Sequence, residues 1–172
     1  MFRYVPGVGR VAAIDCGSAF SPLNGSFLSS TTQPVTTTNS VAITYSERTL
    51  GDINTLNGAY PSSQIVIPTT GVYRCMFSAQ CDSSSGTHFV EVFPVVNGTS
   101  IPKSNTRVRV SAAVEVCLTT EYFLPLTAGD RFALHMVGDN TNARLVAITR
   151  GGGTPIVIPD IPSIILTIQR IA

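Results

Sequence analysis

The sequence predicts an all-β fold of two packed antiparallel sheets, and three observations lead there. Between Val72 and Cys81 the apolar residues Tyr73, Cys75, Phe77, Ala79 and Cys81 fall on alternate positions, the period of a strand half-buried against a core. Phe132, Leu134 and Met136 alternate in the same way after a Thr127-Ala128-Gly129-Asp130 turn, which Leu124 and Leu126 enter from the other side. No stretch carries helical period over a useful length. Gly, Asn and Pro recur between short apolar runs, which favours a sandwich or barrel.

The elements follow in order. Residues 1–34 carry Pro6, Gly7, Gly9, Gly17, Pro22, Gly25 and Pro34 among Phe2, Tyr4, Ile14, Phe20 and Phe27, with neither strand nor helix period. A disordered tail carries fewer large apolar groups, so this segment is expected to be an extended arm lying on its own domain or on a neighbour. Strand signals begin at Val35: Val41-Ala42-Ile43-Thr44-Tyr45 alternates, a looped region spans 47–61, and Ile65 and Ile67 lead through Pro68-Thr69-Thr70-Gly71 into the 72–81 strand. The opposite face of that strand, Arg74, Met76, Ser78 and Gln80, is mostly polar, as suits a sheet packed on one side. Asp82–Gly86 is expected to be an exposed loop. His88–Val96 is apolar on both faces, the pattern of a central strand or of one covered by a partner, and Asn97-Gly98 is a hairpin turn. Arg107-Val108-Arg109-Val110 sets both arginines on one face, where they meet either solvent or a carboxylate across a subunit interface. Segments 114–118, 122–126, 143–149 and 163–171 complete the sheets.

Four features in this order carry a resemblance: Gly71-Val72-Tyr73 opening a strand, Val95-Val96-Asn97-Gly98, Leu124-x-Leu126-x-x-Gly129-Asp130 before another alternating strand, and an apolar C-terminal strand. Together they resemble the tumour necrosis factor/complement C1q-like jelly roll, in a Thr/Asn/Gly-rich texture similar to versions in viral and phage structural proteins. The resemblance spans residues 35–172, which divides the chain into an arm, 1–34, and a jelly-roll domain, 35–172. It implies a homotrimer around a threefold axis and a non-enzymatic virion role, as a minor capsid, cement or head-fibre subunit assembled in the host cytoplasm. Candidate interface residues are Phe89, Phe93, Val95, Arg107, Arg109 and His135. The candidate anchor to other virion proteins is the arm, through Phe2, Tyr4, Ile14, Phe20 and Phe27. Two further readings follow from the same resemblance. One is a module that recognises a host receptor or glycan through loop tips at 82–87 and 138–142; the other is a secreted C1q/TNF-like ligand.

Composition agrees with a structural role. At 172 residues the chain suits one domain, and with 12% charged and 44% hydrophobic residues its surface is largely Ser, Thr, Asn and Gly, which fits a packed assembly. The net charge of +1, without a basic run, argues against direct nucleic-acid binding. No apolar stretch approaches the ~20 residues of a membrane helix. Arg3, Pro6, Gly7, Gly9, Arg10 and Asp15 break any export signal near the start.

Catalysis and cofactors are not expected. Two histidines, His88 and His135, are too few for a multi-imidazole metal site, and no Gly-x-Ser-x-Gly elbow occurs. Asp130 and Asp139 are explained as turn aspartates that cap nearby backbone. Cys75 and Cys81 lie about 20 Å apart on one strand, beyond disulfide reach. Free thiols are therefore expected at Cys16, Cys75, Cys81 and Cys117, with a Cys81–Cys117 bridge as the alternative.

Overall fold

The computed structural model describes residues 22–151 and 158–172. Its strands are β1 (Asn24–Ser29), β2 (Gln33–Pro34), β3 (Val41–Ala42), β4 (Glu47–Gly51), β5 (Asn54–Thr55), β6 (Ile65–Val66) and β7 (Gly71–Ser83) in the first half. The second half holds β8 (Thr87–Val96), β9 (Thr99–Ser100), β10 (Thr106–Ser111), β11 (Val116–Leu126), β12 (Arg131–Gly138), β13 (Ala143–Leu145) and β14 (Ile164–Arg170). Among the described residues a single 3-10 turn, Leu56–Gly58, interrupts this all-β pattern.

Every pairing between these strands is antiparallel, and they form two sheets. In the first, β7 lies between β11 on one edge and β14 and β13, placed end to end, on the other; β1 follows β14, and β4 follows β1. In the second, β8 lies between β10 and β12, and β6 and β3 share the far edge of β12. The two turns that flank the alternating strands therefore cross between sheets. Pro68–Thr70 carries the chain from β6 to β7 and Thr127–Asp130 from β11 to β12, so each pair of strands faces one core from opposite sides. In the latter turn Gly129 takes a φ of 90°, a conformation closed to most side chains, and Asp130 Oδ2 accepts the Thr127 amide at 2.7 Å. Asn97 and Gly98, with φ of 52° and 80°, form the two-residue turn that folds β9 back on β8.

Tyr73, Cys75, Phe77, Phe27, Leu166 and Ile168 point inward from the first sheet onto Val90, Val92, Phe132, Leu134 and Met136 from the second, each at most 1% exposed. β8 is central, as its two apolar faces predict. Two corrections concern loops. Asp82 and Ser83 belong to β7 and are buried, with Asp82 held by Arg144 at 2.7 Å, so the exposed tip shrinks to Ser84–Thr87. The expected 143–149 strand ends at Leu145.

The larger correction concerns residues 22–34. Expected as part of the arm, they include β1, paired with β14 over six residues and with β4 on its other side, and β2. Phe27 is fully buried in the core and cannot anchor the chain to another protein. Phe2, Tyr4, Ile14 and Phe20 lie outside the described residues.

Candidate functional site

The six residues expected at an interface come from three strands and share the outer face of the second sheet. Register brings them together: Arg107 stands opposite Glu91, Arg109 opposite Phe89, and His135 opposite Phe93. Arg107 donates through Nε to Glu91 Oε1 at 2.6 Å and lays its guanidinium 4.1 Å from the centre of the Phe89 ring. Asn105 donates to the other oxygen of Glu91. The carboxylate that Arg107 meets is thus its own chain's. Phe93 and His135 place their rings 6.1 Å apart, and Ser40 Oγ holds His135 Nδ1 at 2.9 Å. Burial pushes the His135 pKa below its ordinary value, which favours the neutral ring. Val95 is 5% exposed and Phe89 and Phe93 are half-covered, so much of the apolar area on this face is screened within the chain.

Glu91 is only 8% exposed and relies on these two partners. Replacing Arg107 with alanine leaves a buried carboxylate short of its cation and is expected to cost about 1–3 kcal/mol in urea unfolding, whereas Arg109→Ala, on an exposed side chain, costs less than about 0.5 kcal/mol.

The outer face of the first sheet is the one that leaves large apolar groups in solvent. Phe123 on β11 is 59% exposed, Met76 on β7 38%, Ile165 on β14 40% and Leu50 on β4 68%. Three cross-strand rows arrange them: Phe123 beside Arg74 and Gln169, Glu121 beside Met76 and Thr167, Thr119 beside Ser78 and Ile165. Leu50 stands opposite Ser26 on β1. Among them Arg74 donates twice to Glu121 Oε2, at 2.8 and 2.6 Å. Along β7 alone this face, Arg74, Met76, Ser78 and Gln80, is mostly polar and gives no sign of the surface. Its signal lies in four strands at once: one exposed apolar residue on each means little, and only the register lines them up.

The described cysteines, Cys75, Cys81 and Cys117, are free. Cys81 and Cys117 lie on opposite faces of the first sheet, which excludes the alternative bridge; Cys16 is outside the described residues. Burial pushes the thiols of Cys75 and Cys81 up to about 12, while Cys117 is exposed beside Ser78 Oγ at 3.1 Å. Since the thiolate is the nucleophile, iodoacetamide at pH 8 is expected to reach Cys75 and Cys81 only in denaturant. Prompt labelling of Cys81 under native conditions would contradict this burial.

No protein-family profile and no curated protein sequence matches the chain. Solved structures do. The globular domain of zebrafish complement 1qA protein superimposes with a TM-score of 0.55 at 15% identity, covering 88% of this chain and 98% of that one. Murine APRIL superimposes with a TM-score of 0.56 at 11% identity, covering 88% of this chain and 100% of that one. The fold is the TNF/C1q-like jelly roll.

Proposed function

We propose that this chain is a non-enzymatic structural subunit that assembles as a homotrimer through the outer face of its first sheet. The observation that carries the reading is the alignment of Phe123, Met76, Ile165 and Leu50 on one face. Burying such side chains contributes ~1.5–3 kcal/mol each, and a free monomer gains nothing by leaving them wet. Arg74 and Glu121, between the apolar groups, keep the face soluble before assembly and supply polar contacts within it. The low charge of the whole chain and its Ser/Thr/Asn surface support a place in a packed assembly, and we assign it to a virion, as a minor capsid, cement or head-fibre subunit. In that role residues 1–21 contact other virion proteins.

Gradient-purified particles test the assignment. The chain should co-sediment with them, and deletion of residues 1–21 should remove it from the particle fraction. Recovery only as free protein in the medium would instead favour a secreted ligand, which this fold also suits.

A further inference from the structure

The outer face of the second sheet holds a depression of 420 Å³ between β12, the Asn97-Gly98 turn and the segment before β6. Its size lies within the ~300–1,000 Å³ of small-ligand sites. Val95 and Ala133 supply a small apolar floor, and Gln64, Arg131 and His135 supply the polar walls. The polar groups have unused bonding capacity. The guanidinium of Arg131 has no carboxylate partner among the described residues. Asp130, its sequence neighbour, spends Oδ1 on Asn97 Nδ2 and Oδ2 on the Thr127 amide, each at 2.7 Å. Gln64, half-buried, lines the depression beside the turn. His135, neutral and held by Ser40 through Nδ1, keeps Nε2 uncommitted.

We propose that this depression binds a carboxylate-bearing sugar. The fork of Arg131 matches a carboxylate in two-pronged geometry. Gln64 and His135 both line the depression, and the neutral imidazole carries one donor and one acceptor nitrogen, which suits hydroxyl groups, because a hydroxyl does both. Val95 and Ala133 take the apolar face of a sugar ring. An acidic peptide would bring several carboxylates to a depression lined by a single cation. This site lies on the side of the sandwich opposite the proposed trimer face, so it stays open in the assembly and its test is separate from that of self-association.

Isothermal titration of the full chain with sialyllactose and with trigalacturonate tests the proposal, alongside lactose, acetate and a tetraglutamate peptide. At least one acidic sugar should bind with a Kd in the range of about 0.1–5 mM, and lactose, acetate and tetraglutamate should not. Arg131→Ala and the isosteric Arg131→Met should weaken binding about tenfold or more, with unchanged melting temperature and unchanged mass by light scattering. The proposal is overturned if neither acidic sugar binds at about 10 mM, if acetate or tetraglutamate binds as well as the sugar, or if both Arg131 variants bind undiminished.

Discussion

Deleting residues 1–34 is expected to abolish the folded state, whereas deleting residues 1–21 is expected to leave a cooperative melt close to that of the full chain. The shorter deletion spares every described strand. The longer one removes β1, which bridges β14 and β4, and takes Phe27 out of the core, where it packs against Tyr45 with ring centres 5.9 Å apart. It also removes Gln33, whose side chain binds the backbone of Thr44 twice, donating to its carbonyl at 3.0 Å and accepting from its amide at 2.8 Å. Losing Phe27 alone costs about 3–5 kcal/mol, against a total stability of about 5–15 kcal/mol for a domain. Phe27→Ala therefore serves as the single-site version, read by calorimetry. A 1–34 deletion that melts like the full chain would show that the first two strands are dispensable.

Substituting Phe123→Arg together with Met76→Glu should convert the trimer to monomers at micromolar concentration while leaving the fold intact. Both side chains point away from the core, so the monomer loses little. In the assembly each is repeated in every copy. A buried aromatic at the centre of an interface contributes about 2 kcal/mol or more, roughly thirtyfold in dissociation constant, and an unpaired charge in its place costs more. Sedimentation velocity separates the two states. By contrast, Arg109→Ala on the opposite face should leave the mass unchanged, and a trimer that survived the double variant would move the interface elsewhere.

The parts of this fold that can be read from sequence are those where hydropathy and burial share one period. In β7 and β12 the inward residues are large and apolar and the outward ones mostly are not, so alternation marks both strands. β1 shows the reverse: Gly25, Phe27 and Ser29 face inward and Leu28 outward, so burial alternates while hydropathy does not. For that reason the segment reads as an arm in sequence. The second-sheet face was legible because period 2 fixes which side Arg107, Arg109 and His135 occupy. The Glu91 pairing and the exposed row on the first sheet depend on register between strands dozens of residues apart, which periodicity within a strand does not encode.

Light scattering of the purified full chain is the most direct test of self-assembly through the first sheet. The account predicts a mass three times the 18.2 kDa of one chain, falling to 18.2 kDa with the Phe123→Arg, Met76→Glu variant. A wild-type chain that runs as a clean monomer at micromolar concentration would contradict it.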